Sequence, residues 1–309
     1  MIINVISCNF ERNGGGDAAL WKAMHDRLAS HRPHLLLRQE VWDASKDGET
    51  LADAADSRLG LRGYIGEGTF TSVAFDPKVF VSLRGFSAGA ISAMPFTCRA
   101  LQLLEAGEDS LPLTVASIHL NYASVTYRQA ESEWATTILD KARPVGPNKV
   151  SMKLPGLYGV DANSYPEPRP GEIPLPRAEE IKDKQHLVHR ARRNAAGQWE
   201  MDTEPDRIWR VSGVEDVAWH AMDNKLGRNH GLAPTTRATT THGPAARPDR
   251  IYLAEELLPA VVEVEVIDMT GLSDHDAVLC RIDTGVLADE LAALYRLREQ
   301  NPLYAPAAS

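Results

Sequence analysis

Ten short runs of strand-forming residues are spread from Ile2 to Asp283, and their distribution restricts the fold more than any other feature of the chain. They read IINVIS (2–7), HLLLRQ (34–39), SVAFD (72–76), VFVSLRGF (79–86), CRALQLLEA (98–106), LPLTVASIHL (111–120), LPGLYGV (154–160), DRIYL (249–253), AVVEVEVI (260–267) and AVLCRID (277–283). In the ninth, Val262, Val264 and Val266 alternate with Glu263 and Glu265, the period of a strand with one wet face. Helical patterns lie between the runs. In 17–31, Leu20, Trp21, Met24 and Leu28 share a face, and Asp17 is placed to cap the first turn. In 124–142 the apolar face is Tyr127, Ala130, Trp134 and Ile138. Strands in hairpin-like succession, mixed with helices, predict an α+β layered domain with large mixed sheets. No period repeats. The expected organisation is a catalytic domain over 1–284 and a C-terminal helix and tail over 285–309. That helix carries Leu287, Leu291, Leu294 and Tyr295 on the side that packs on its own domain.

Composition narrows the partners. The 309 residues carry a net charge of −9. An acidic surface does not favour polyanions, whose affinity comes from Lys and Arg, although a bound cation can supply local positive charge. Three scattered cysteines without a CxxC pair argue against a disulfide framework or a zinc site. The chain opens directly on a strand, with no leader-like run before it. No stretch reaches the ~18 apolar residues of a membrane span. The expectation is a cytoplasmic protein with no membrane span. Two segments read as long loops: 165–185, with five prolines, and 223–247, rich in Gly, Thr, Asn and Pro and carrying Arg228 and Arg237. The basic run HLVHRARR (186–193) reads as a solvated helix face.

The strand ends carry the chemistry. The first run is followed by Asn9 and Glu11, the second by Glu40, the sixth by His119 and Tyr122, and the seventh by Asp161 and Asn163. Asp249 opens the eighth, and Asp274 and His275 precede the tenth. Singly, such residues are caps and turns. Together they offer oxygen ligands for a hard divalent cation and a histidine with a carboxylate to orient it. Glu11 reads equally well as solvent-exposed, and Tyr122 as a core residue. NGGGD (13–17) lacks the Gly-Lys-Ser/Thr of a P-loop and reads as a turn into the first helix. His186 and His189 are spaced to share a metal, but no third ligand is evident, so an exposed position is expected.

In this order the motifs resemble the endonuclease/exonuclease/phosphatase superfamily of metal-dependent phosphoesterases. They are Asn9 in SCNFERNG, Gln39-Glu40, His119-Leu120, Gly159-Val160-Asp161-Ala162-Asn163, Arg247-Pro248-Asp249 and Ser273-Asp274-His275. The resemblance spans nearly the whole chain. It departs at Val160, beside the Gly-Asp step, and at Arg250, where the family commonly has Tyr. It implies a four-layer α/β/β/α sandwich of two packed mixed β-sheets flanked by helices. It implies that Glu40, with Asn9, Asp274 and Glu11, holds Mg²⁺ or Mn²⁺, and that His119, Asp161, Asn163, Asp249 and His275 are catalytic. The expected activity is hydrolysis of a phosphate ester by metal-assisted attack of water. A nuclease-type phosphodiesterase stands ahead of a phosphatase of a small or lipid phosphate, and an inactive interaction module on the same fold is the third reading. The expected partner is a phosphate-ester substrate, nucleic acid among the candidates.

Overall fold

The computed structural model describes residues 1–86, 95–140, 142–146, 149–227 and 231–300. Arg228 and the tail beyond residue 300 lie outside the described residues. Two six-stranded sheets form the centre. The first contains β1 (Ile2–Asn9), β2 (Leu35–Gln39), β3 (Arg62–Ile65), β4 (Ser72–Phe75), β15 (Val261–Ile267) and β16 (Ala277–Asp283), in the order β15-β16-β1-β2-β4-β3. The second contains β5 (Phe80–Phe86), β6 (Thr97–Leu103), β7 (Leu113–His119), β10 (Gly156–Asp161), β13 (Val214–Asp216) and β14 (Asp249–Ala254), in the order β13-β14-β10-β7-β6-β5. Each sheet is mixed: β1 and β2 run parallel, as do β7 and β10, and the other pairs are antiparallel. Two hairpins stand apart, β8 (Ala142–Val145) with β9 (Val150–Lys153) and β11 (Ala191–Arg193) with β12 (Trp199–Met201).

Helices complete the four layers. On the first sheet, α1 (Ala18–Ser30) lays Met24 and Leu28 against Ile6, Cys8, Leu36 and Leu279. Asp17 caps it, its carboxylate accepting from the N–H groups of Ala19 and Leu20. The helix α2 (Lys46–Leu59) follows. On the second sheet, α3 (Val125–Asp140), α5 (Glu204–Val211) and α6 (Val217–Asp223) add Ile138, Trp209 and Val217 to the core, and α4 (Lys184–Arg190) leads into β11. The last helix, α7 (Thr284–Gln300), buries Leu287, Leu291, Leu294 and Tyr295 in the same core. Its Leu291 carbonyl accepts from the Leu111 N–H at 3.2 Å.

The buried face of α3 differs from the expected one. Tyr127 is 58 % exposed, and the buried positions include Arg128, Glu131 and Ser132. The reason is a polar network that hydrophobic periodicity cannot register. Arg128 Nε donates to Asp202 at 2.7 Å, NH1 donates to the carbonyls of Asn121 and Tyr122, and Glu131 accepts from the Asn121 N–H. The pair is fully buried, and its hydrogen bonds fix the chain just beyond His119.

The two sheets approach closely at Gly159. A Cβ there would stand 2.6 Å from Leu37 Cβ and 2.8 Å from Ser7 Oγ. Beside it, Gln39 Nε2 bonds Ser117 Oγ at 3.1 Å and the Gly159 carbonyl at 3.3 Å, and Ser117 Oγ donates to the Arg38 carbonyl at 2.7 Å. A buried polar seam thus joins β2 to β7 and β10. Gly159→Ala should force the sheets apart. By analogy with overpacked cores it should cost about 1–3 kcal/mol, measured as a lowered urea midpoint; an unchanged midpoint would contradict the close approach.

Candidate active site

Strand register collects the site. In the second sheet Asp161 pairs with His119 on β7 and with Asp249 on β14, so three candidates stand side by side across neighbouring strand ends. In the first sheet Asn9 pairs with Gln39, and Glu40 follows directly. His275 precedes β16 by two residues and is bridged to Thr236. Val160 sits in register between Gly159 and Asp161, so the departure at this motif leaves the strand intact, as does Arg250 within β14.

Hydrogen bonds then join the two sheets. Asn9 Nδ2 donates to Asp161 Oδ2 at 2.9 Å and to Glu40 Oε1 at 3.4 Å. His119 Nε2 lies 3.3 Å from Glu40 Oε1 and 3.4 Å from Asp161 Oδ2. The Arg12 N–H donates to Glu40 Oε2, and the Asn163 N–H to Asp161 Oδ1. His275 Nδ1 meets Asp249 Oδ2 at 2.7 Å, the contact expected from the paired motifs. Asn163 Nδ2 donates to the Leu120 carbonyl at 3.1 Å. Glu40 and Asn163 both hold left-handed backbone, at φ 56° and 49°, a conformation that costs a non-glycine residue about 1–3 kcal/mol and clusters at functional sites.

Charge is unevenly shared. Burial opposes ionisation of Asp161, but His119, His275 and the Asn163 N–H outweigh it and hold its carboxyl below the usual range. Burial likewise opposes ionisation of Glu40, and the bonds from His119 and Arg12 leave it lowered. Burial pushes Asp249 up. Burial also works against a charged His275, yet the Asp249 carboxylate, then Asp161 and Asp274, push the ring up to about 10. Glu11 is raised chiefly by the Asp274 carboxylate, with burial and Glu40 adding to it. Glu11, Glu40 and Asp274 therefore crowd negative charge at one spot.

That crowding fits a divalent cation. Asn9 Oδ1 is buried with no hydrogen-bond partner among the described residues, and amide and carboxylate oxygens are the donors that suit Mg²⁺ or Mn²⁺. Among the described residues, the grouping whose possible ligand atoms all lie within 4.8 Å of one another is Asp161, Asp249 and His275. It suits a metal less well, because Asp249 already holds His275 Nδ1 and favours its protonated form, which cannot ligate.

The site lies where two hollows meet. The larger, about 1040 Å³, is bordered by Trp21, Trp42, Phe70 and Tyr122; the smaller, about 370 Å³, by Thr236, Arg237 and Tyr165. Asn163, Arg190, Asp274 and His275 border both. Three expectations change here. Tyr122 is not a core residue: it is 62 % exposed, because the Arg128 bond to its carbonyl holds this turn over the cleft. His186 is not simply on the outer surface: it stacks on His242 at 4.1 Å in the cleft wall. Arg190, from the basic run, turns inward and donates to the backbone and side-chain oxygens of Asn163. Thr235 was not singled out, yet its hydroxyl donates to Asp249 Oδ2 at 2.6 Å. Its only sequence signal is membership of a threonine-rich loop. Trp42, stacked on Phe70 at 3.7 Å, is another wall residue without a motif.

If Asp249 is what holds the proton on His275, Asp249→Asn should let the ring titrate far lower, from about 10 toward the ordinary value of ~6.5. Histidine resonances followed by NMR through a pH titration would show it. An unmoved midpoint would mean that other groups hold the proton.

No protein-family model matches the chain, and no curated protein matches it. Solved structures do. An AP endonuclease from Archaeoglobus fulgidus aligns at TM-score 0.56 and 14 % identity, over 91 % of this chain and 99 % of the other. D. rerio TDP2 complexed with single strand DNA product aligns at 0.55 and 14 %, over 91 % and 99 %. ANGEL2, a 2′,3′-cyclic phosphatase, aligns at 0.55 and 13 %, over 91 % and 95 %. All three share the endonuclease/exonuclease/phosphatase fold, and this chain has that fold too.

Proposed function

We propose that the protein hydrolyses a phosphodiester with the help of a divalent metal ion, in the manner of a nuclease. The observation that carries this reading is the position of the Asp249–His275 pair beside Asp161 and Asn163, at the junction of two hollows. A phosphate held there has room for a substituent on each side, which a diester has and a monoester lacks. Two of the structural neighbours, an AP endonuclease and a 2′,3′-cyclic phosphatase, both act on phosphate esters.

The residues divide the work by what they touch. Glu40, with Asn9, Glu11 and Asp274, would hold Mg²⁺ or Mn²⁺, which polarises the phosphoryl group and offsets charge as it develops. Asp249 fixes Nδ1 of His275 and favours the protonated ring, leaving the Nε2–H to donate to the phosphate. Asp161, whose carboxyl lies below its usual range, is the group able to take a proton from the attacking water. Its two oxygens are held by Asn9 and by the Asn163 N–H, so it is rigidly aimed. Asn163 would donate its second Nδ2 hydrogen to a non-bridging oxygen, while His119 Nε2, between Glu40 and Asp161, favours their ionised forms. Arg190 acts through Asn163: by bonding its side-chain oxygen, it orients the amide so that Nδ2 faces away from the guanidinium.

The test is steady-state hydrolysis of bis(p-nitrophenyl) phosphate and of oligonucleotides with Mg²⁺ or Mn²⁺. In His275→Ala and Asp161→Asn, kcat should fall by about 10²–10⁴-fold, with KM changed far less, because both groups act mainly in the transition state. Circular dichroism controls for folding. A folded variant with nearly full kcat removes that residue from the mechanism. If both retain it, the hydrolase reading fails and the inactive module takes its place.

A further inference from the structure

Away from the catalytic cluster, a band of arginines and aromatic rings crosses the side of the sandwich where β3 of one sheet lies near β5 and β6 of the other. Arg99 of β6 stacks over the Tyr64 ring of β3, its guanidinium carbon 3.6 Å from the centroid, and Arg62 lies 5.6 Å from the same ring. Arg84 and Arg143 flank the Phe86 ring of β5 at 5.3 and 4.6 Å. Arg99 Nε donates to Ser82 Oγ at 2.6 Å, which ties the two halves together.

This concentration of charge is unusual for the molecule. Elsewhere Arg128, Arg169, Arg210, Arg247 and Arg281 each face a carboxylate. Arg62, Arg84 and Arg99 form no such pair among the described residues. The segment after Phe86, SAGAISAM, carries no acidic residue. The arginines instead oppose one another. After burial, the Arg62 charge depresses Arg99, and the Arg84 charge depresses Arg143. A fold that keeps Arg62, Arg84 and Arg99 together with no carboxylate partner among the described residues is poised for a polyanion.

We propose that this band docks single-stranded nucleic acid. Guanidinium groups stacked on rings keep their in-plane N–H groups free to grip phosphates, which suits Arg and not Lys. Rings interleaved with cations are the combination that unpaired bases and their backbone require. On a chain of net charge −9, a local positive band also directs a polyanion to one place. The band is connected to the cleft by one strand: β3 runs from Arg62 and Tyr64 into the loop that carries Phe70, the ring stacked on Trp42 in the cleft wall. Leu83, on β5, is exposed, so an anionic bilayer is the competing ligand. The proposal supplies a partner for the phosphodiesterase reading, but it is measured by binding and fails separately from it.

The experiment is fluorescence anisotropy of a labelled oligothymidylate in EDTA, where no cleavage occurs. The full chain is compared with the Arg62→Ala/Arg84→Ala variant. Wild type should bind with a steep salt dependence. The variant should bind at least tenfold more weakly at low salt, and its slope of log affinity against log salt should fall by about 0.7 per lost phosphate contact. Its rate on bis(p-nitrophenyl) phosphate should match wild type, which separates docking from catalysis and shows that the fold is intact. Equal oligothymidylate binding by both proteins overturns the proposal. So does binding to phosphatidylserine vesicles that the variant loses, if the oligothymidylate does not bind at all.

Discussion

The contact on which the site depends is the close approach of the two sheets at Gly159. Each sheet alone carries half of the candidate site. Asn9 and Glu40 end strands of the first sheet; His119, Asp161 and Asp249 end strands of the second. The missing side chain at residue 159 lets Leu37 and Ser7 reach the β10 backbone, and Gln39 bonds across the gap. Only at that separation can Asn9 span from Glu40 to Asp161. Buried polar groups are costly unless bonded, so the seam rewards one register of sheet on sheet and penalises its neighbours. The geometry of the candidate site follows from this packing choice.

Electrostatics then sorts residues that a list of motifs leaves equivalent. Asp161 and Asp249 lie side by side on neighbouring strands, yet one is lowered and the other raised. The difference lies in their partners. Asp161 is bonded by Asn9 and by the Asn163 N–H, with His119 nearby, whereas Asp249 depends on His275 and Thr235. Close by, the Asp274 carboxylate repels that of Glu11 and raises it. A bound metal ion would relieve that repulsion and give the unpartnered Asn9 oxygen a use.

Much of this was readable from the chain, for identifiable reasons. Half-buried strands advertise themselves by alternation, and all ten runs fall on strands. Polar residues at their ends were visible because chemistry interrupts an apolar run. What escaped notice lacked such contrast. The helix α2, KDGETLADAADSRL, is too polar to show an apolar face, and β3 is only four residues long. The inner face of α3 hides in an ion pair with Asp202, whose partner is 74 residues away. Thr235 and Arg190 take meaning only from tertiary placement, beside Asp249 and Asn163. The arginine band is assembled from four separate strands, so no local window contains it.

The central claim is that the strand ends form a metal site centred on Glu40. The most direct measurement is the anomalous scattering of Mn²⁺ soaked into crystals of the protein. The account predicts a peak at the Glu40 carboxylate, ~2.0–2.3 Å from its nearest oxygen as expected for a hard divalent ion, with Asn9 or Asp274 beside it. A peak at the Asp161, Asp249 and His275 grouping instead, or none anywhere in the cleft at saturating Mn²⁺, would contradict it.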